Sequence, residues 1–306
     1  MKNAVGIIGL GLIGGSMAKA VREYIGRTPE GYAEKIFGTD LNKSYVKRAL
    51  DEGIIDGELT DDMFADCKLV MVAIPPRAAA KWIKENAKKL TGLVLVDLCG
   101  VKRYICDIVR PLATAHGFTF VGGHPMAGKE VGGYENSSAS LFKGASMILT
   151  PDDDTDIAQM DELSEFYKAI GFGRVTVCSS ERHDEVIAYT SQLAHIASSA
   201  YIKSPTAQNH RGFSAGSYKD LTRVARLDEN MWTELFMANR EPLINELELL
   251  IKNLCDYRDV LAEGDENTLR EMLKNGRELK KSDPSVFLNA NPFSLTDSSF
   301  VFLSEV

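Results

Sequence analysis

From residue 4 to about 178, short apolar runs alternate with stretches of helical periodicity. The runs are AVGIIG (4–9), KIFGTD (35–40), KLVMVAIP (68–75), GLVLVDL (92–98), FTFVGG (118–123), SMILT (146–150) and GRVTVC (173–178). The early ones are bounded by Gly, Pro or Asp and lead into helical patterns such as VKRYICDIVRPLA. Strands apolar on both faces must be covered on both faces, which predicts an α/β domain with a mostly parallel, doubly wound sheet. After residue 178 the pattern becomes helical throughout. A first helix is predicted from an N-cap at Ser179 or Ser180, with Glu181, Asp184 and Glu185 in its first turns, through IAYTSQLAHIASSAYI. Further helices are expected over about 219–227, 229–254 and 256–281, the last stopping before Pro284. The domains are therefore read as 1–178 and 179–306. The tail 285–306 is polar but carries Phe287, Phe293, Phe300 and Phe302, too apolar for a disordered linker, and is expected to dock, for instance on a partner subunit.

Length agrees with two domains, since one core rarely grows past roughly 250–300 residues, and this chain has 306. A formal charge of -8 with no basic run argues against nucleic acid as a partner. No apolar run approaches the roughly 20 residues of a membrane span, and the start has no signal-peptide pattern. The five cysteines are scattered without a CxxC pair, which fits neither a disulfide framework nor a metal site. A reducing cytoplasm, with no membrane partner and no metal, is the expectation.

The first run leads into GLGLIGGS, placing Gly9-x-Gly11-x-x-Gly14 between a strand and a helix. That context suits a dinucleotide: a tight turn at Gly9, close approach of a pyrophosphate at Gly11, helix-on-strand packing at Gly14, and amide donors at the helix start. Gly9, Leu10, Gly11, Leu12, Ile13 and Gly14 are thus cofactor-binding candidates. Asp40 ends the second run where a carboxylate would accept from a ribose hydroxyl and repel a 2′-phosphate. This favours NAD, while the nearby Lys43 keeps NADP open. Ile74 and Pro75 close the third strong run, at the strand end where ligands bind. DLCGVK (97–102) occupies the corresponding end of the next strand and reads equally as a plain strand-to-helix turn.

Residues 122–130, GGHPMAGKE, read as a shaped loop, because glycine and proline suit neither helix nor a well-packed strand. Within it His124 could serve as general base or be satisfied by loop carbonyls. In the first long helix, i, i+4 spacing aligns Ser191, His195 and Ser199, with Gln192 beside them. This is a polar strip, and His195 could equally be bonded to a neighbouring helix. His116 reads as a helix-end residue, and His183 and His210 as exposed. Arg223, near Lys219 and Arg226, could pair with a carboxylate or with a surface acid.

Four segments in this order, GLGLIGGSMAKA, GGHPMAGKEVGG, DEVIAYTSQLAHIASSAY and AGSYKDLTRVARLDENMWTELFMANR, resemble the prephenate dehydrogenase family of tyrosine biosynthesis. The resemblance covers about residues 4–281. It implies a Rossmann-type NAD domain, a helical substrate-binding and dimerisation domain giving a homodimer, and a site between them. The implied reaction is oxidative decarboxylation of prephenate to 4-hydroxyphenylpyruvate. Hydride loss from the ring carbon bearing the hydroxyl, followed by loss of the ring carboxylate, gives an aromatic phenol, so the protein supplies mainly alignment and a proton acceptor. The resemblance assigns His124 to the ring hydroxyl, His195 to substrate binding and Arg223 to a substrate carboxylate, with Gln192 and Gly128 as further substrate contacts.

Three departures stand out. Where many relatives have a serine in D-x-x-S-V-K, this chain has Cys99-Gly100, and where they often have G-F-R-D it has Ser217-Tyr218-Lys219-Asp220. No counterpart of the roughly 70-residue regulatory extension that some relatives append is expected here, so any feedback by tyrosine would act at the active site. Two alternatives stay open: an arogenate or dual-specificity dehydrogenase, and a silent nucleotide-binding sensor that has lost its chemistry with the serine.

Overall fold

A computed structural model describes residues 3–28, 31–129, 131–210 and 212–283. The expectation for the tail 285–306 lies outside the described residues.

Eight strands form one sheet: β1 (Ala4–Ile8), β2 (Lys35–Thr39), β3 (Gly57–Glu58), β4 (Cys67–Val72), β5 (Val94–Asp97), β6 (Thr119–Pro125), β7 (Ser146–Thr150) and β8 (Arg174–Val177). Their order is β3-β2-β1-β4-β5-β6-β7-β8. Every pairing is parallel except β6 with β7, which is antiparallel. The first six are in the Rossmann order, whose reversal between β1 and β4 opens a crevice at the strands' carboxyl ends. The two-residue β3 has no counterpart among the predicted strands, being too short for a hydrophobic period.

Helices α1 (Leu12–Arg27), α2 (Lys43–Asp51), α3 (Pro76–Asn86), α4 (Arg103–His116) and α5 (Ile157–Ala169) accompany the sheet. Alternation within the strands divides the core. Leu69, Met71, Val94 and Val96 join one cluster with Met17, Val21 and Phe166, while Val70, Val72 and Leu95 join another with Ile83, Ile105 and Val109. Both sheet faces are buried, which is why the runs show no polar alternation.

The stretch GGHP is not a loop. Gly122 to Pro125 lie inside β6, with Gly122 opposite Asp97 of β5 and Thr150 of β7. The glycines serve packing: a Cβ on Gly123 would come within 2.6 Å of Val96 Cγ1 and 2.7 Å of the Asp97 carbonyl oxygen. Composition alone argued for a loop because glycine usually weakens a strand; here crowding by both neighbouring strands demands it.

Beyond β8 the described residues are helical: α6 (Ser180–Ile187), α7 (Ala194–Tyr201), α8 (Gly216–Thr222), α9 (Glu229–Ala238), α10 (Arg240–Glu263) and α11 (Glu266–Ser282). Ser179 caps α6, its side chain accepting from the Arg182 amide at 3.1 Å. A π-helical turn, Ala188–Leu193, interrupts the predicted continuous helix. The segment predicted as helix over 229–254 breaks at Asn239, and the one over 256–281 breaks at Gly264, where φ is +72° and Asp265 caps the next helix. By compactness the chain divides after Leu243, with a second unit beginning at Ile244. The boundary read at 178 instead marks where strands give way to helices. Among the described residues no helix is long and apolar enough to cross a membrane.

Candidate active site

At the β1–β4 crevice, Gly9 turns the chain with φ +89°, and a Cβ there would lie 2.5 Å from the Ala73 carbonyl oxygen. A Cβ on Gly14 would collide with the Gly9 carbonyl, whereas one on Gly11 would meet nothing within 4 Å. Gly11 is the N-cap of α1 and offers no side-chain cap, so Leu12, Ile13 and Gly14 open the helix with amides free for an anion. The cradle fits a pyrophosphate. Asp40 follows β2 and ties the loop, Oδ2 accepting from the Leu10 amide at 2.7 Å and Oδ1 from the Asn42 amide at 2.7 Å. Lys43 is ion-paired with Glu58, which occupies the cation that would answer a 2′-phosphate. Ile74 and Pro75 follow β4, Pro75 serving as the N-cap of α3.

Next to this crevice, β5 ends in the buried Asp97, and Lys102 lies buried at the start of α4. The two form an ion pair, and Lys102 Nζ donates to the Gly123 carbonyl at 2.5 Å. DLCGVK is therefore a buried ionic brace under β6 rather than a solvated turn. Cys99 is buried too, and burial, then Asp97, pushes its thiol pKa well up. It is a packed thiol rather than a nucleophile.

His124 follows in β6, directly after the Gly123 whose carbonyl Lys102 holds. Its Nδ1 lies 2.9 Å from Nε2 of His183, and His183 Nδ1 lies 2.7 Å from Asp184 Oδ1. The Asp184 carboxylate caps α4 from outside, accepting from the Lys102 amide at 2.7 Å and the Arg103 amide at 2.9 Å. Burial first, then His183 and Lys102, holds His124 well below the ordinary imidazole pKa of 6.5. Burial likewise lowers His183, against the opposing hydrogen bond of Asp184. His183 is 2% exposed, which overturns the sequence expectation of an exposed residue: α6 packs on α4 and turns its polar first turn inward. His210 is half-buried and packed on Tyr218, ring centroids 4.2 Å apart, again not freely exposed. His116 ends α4, with Gly117 as its left-handed cap.

The helical wall comes from α7 and α9. A Cβ on Gly100 would lie 3.8 Å from His124 Nε2 and 3.4 Å from Leu235 Cδ2, so Gly100 sits between the imidazole and α9. Among the described residues no hydrogen-bond partner reaches that Nε2. One turn before Leu235, Trp232 packs on His195, centroids 3.8 Å apart. His195 Nδ1 lies 2.9 Å from the Ser191 carbonyl and donates to it, which leaves Nε2 as the ring nitrogen that can face a ligand. Arg223 opens a 3-10 turn, Arg223–Ala225, that packs against α7. The Ser198 hydroxyl fixes that docking by donating to the Leu221 carbonyl at 2.7 Å.

Gln192 and Gly128 stand differently. Gln192 is 2% exposed, its Oε1 accepting from Asn239 at 2.9 Å and its Nε2 reaching the Leu235 carbonyl at 3.4 Å. Both amide ends are used to hold α9, so it braces the wall. Gly128 is exposed, and a Cβ there would meet nothing within 4 Å. Asn239, which also donates to the Asp184 carbonyl at 2.8 Å, and His183 are the residues sequence reasoning missed. Their only sequence signal is polarity inside helices, which does not distinguish a buried bracket from a wet face. Among the described residues no group of three or more His, Cys, Asp or Glu could hold a metal ion.

Two family models match in tandem: "Prephenate dehydrogenase, nucleotide-binding domain" over residues 18–177 and "Prephenate dehydrogenase, dimerization domain" over 179–275. The chain is 30% identical over 285 residues to a cyclohexadienyl dehydrogenase of Zymomonas mobilis, covering 90% of this chain and 94% of that protein. It is 26% identical over 298 residues to a prephenate dehydrogenase of Bacillus subtilis, covering 93% and 77%. A crystal structure of prephenate dehydrogenase from Aquifex aeolicus, in complex with hydroxyphenyl propionate and NAD+, is similar with TM-score 0.76 and 30% identity over 92% of this chain and 98% of that one.

Proposed function

The chain belongs to the prephenate dehydrogenase family, and from that premise we propose that it oxidises and decarboxylates prephenate to 4-hydroxyphenylpyruvate with NAD. The observation that carries this reading is the His124 imidazole, whose Nδ1 is engaged by His183 and whose Nε2, near Gly100, meets no hydrogen-bond partner among the described residues. When bound, NAD supplies the hydride acceptor, and Gly9 to Gly14, Asp40, Ile74 and Pro75 would hold it. His124 Nε2 accepts the proton of the ring hydroxyl as that carbon is oxidised. His195 Nε2, steadied by Trp232 and Ser191, and the Arg223 guanidinium bind the substrate, the latter by pairing with a carboxylate. Residues 1–178 would hold the cofactor and supply His124, and the helical part beyond them would supply His195 and Arg223.

Dual specificity for prephenate and arogenate, which differ only in a keto versus an amino group, draws support from the relative called a cyclohexadienyl dehydrogenase. Absorbance at the NADH band with both substrates and both nicotinamide cofactors tests the reading. NADH production from prephenate is expected; preference for arogenate by kcat/KM would replace the first reading, and no turnover of either would favour a silent sensor. A homodimer, through helices that expose Leu249, Leu254, Leu261, Leu273 and Leu279, is expected by light scattering, and a monomer would remove that part.

A further inference from the structure

Where relatives place a serine near the base, this chain has Gly100, yet His124 is not left without an orienting group. Asp184 is buried and accepts from two amides at the start of α4, where the helix dipole favours a carboxylate that can only accept. Its contact with His183 Nδ1 at 2.7 Å therefore needs the proton on that nitrogen. A neutral His183 then carries a bare Nε2, and the 2.9 Å contact with His124 Nδ1 closes only if His124 donates.

We infer that Asp184 and His183 fix the tautomer of His124, placing its proton on Nδ1 and its lone pair on Nε2, so that His183 is a positioning residue for the proton acceptor. This rests on the reading of His124 as that acceptor. When Nε2 takes the substrate proton, the new imidazolium keeps its Nδ1–H on His183, and the Asp184 carboxylate behind it offsets the charge. The other charged groups around the pair are already engaged. Lys102 is held by Asp97, and the Arg103 guanidinium lies 3.7 Å from Glu241.

Two substitutions separate relay from scaffold. In His183→Asn the amide replaces Nδ1, keeps its bond to Asp184 and reaches no atom of His124. In His183→Gln the amide replaces Nε2, can accept from His124 Nδ1–H and releases Asp184. The relay expects kcat in His183→Asn to fall by about 10²–10³ with KM nearly unchanged, and His183→Gln to stay within about tenfold of the parent. A merely structural His183 gives the reverse ranking, which overturns the inference. Should both variants fail to fold, two-bond 1H–15N spectra of the full-length histidine-labelled protein decide, with the His124 signals identified by their loss in His124→Asn. Nδ1-protonated, Nε2-bare His124 is expected, and an Nε2-protonated ring refutes the relay. That spectrum needs no substrate, so it stands apart from failure of the proposed dehydrogenase activity.

Discussion

An imidazole accepts a proton only while uncharged, and burial, His183 and Lys102 all push His124 that way. The active form persists as pH falls, so kcat/KM is expected to stay level through pH 6.5, the ordinary value, and to decline only below it. An acid limb centred above 6.5 would contradict the environment described. Replacing the ring in His124→Asn should lower kcat by roughly 10²–10⁴, the scale of a general-base contribution, with NAD affinity retained in a binding titration. Arg223→Ala should instead raise KM by about tenfold or more, since a charge-assisted hydrogen bond is worth about 1.5–3 kcal/mol; an unchanged KM would sink the carboxylate role. His124 and Arg223 were legible as residue types suited to this chemistry. His183 was not, because its burial depends on α6 meeting α4, a contact 81–82 residues apart in sequence at Asp184.

At the level of elements, β6 shows why local composition misleads. Its glycines are called for by the strands on either side, so Gly123→Ala should destabilise the protein by about 1–3 kcal/mol, the usual cost of overpacking. Gly128→Ala, in open space, should leave stability within about 0.5 kcal/mol. Urea unfolding of both compares them directly, and equal midpoints would refute the packing account. The helix breaks divide the same way. Gly264 followed by Asp265 carries stop and start signals that the helix expected over 256–281 passed over, whereas the π-turn at Ala188–Leu193 has no such punctuation.

For the molecule as a whole, neutral histidines in the interior couple stability to pH. His183 and His124 have folded pKa values below 6.5, so between the folded and unfolded values only the unfolded chain binds the proton. Stability should fall as pH drops through 6.5, by at most about 1.4 kcal/mol per pH unit for each histidine. Calorimetry should give a lower Tm at pH 5.5 than at 7.5, with a shallower slope in His183→Gln; a Tm that rises on acidification would refute the linkage. The sequence by itself determined the doubly wound sheet, the dinucleotide turn and the switch to helices, because hydrophobic period, Gly spacing and capping are local properties of the chain. Tertiary structure alone decided that the GGHP segment is a strand, that Asp97 and Lys102 are a buried brace, and that His183 and Asp184 stand behind His124. Those outcomes depend on which distant surfaces exclude water from one another, and that is settled only when the sheet and helices pack.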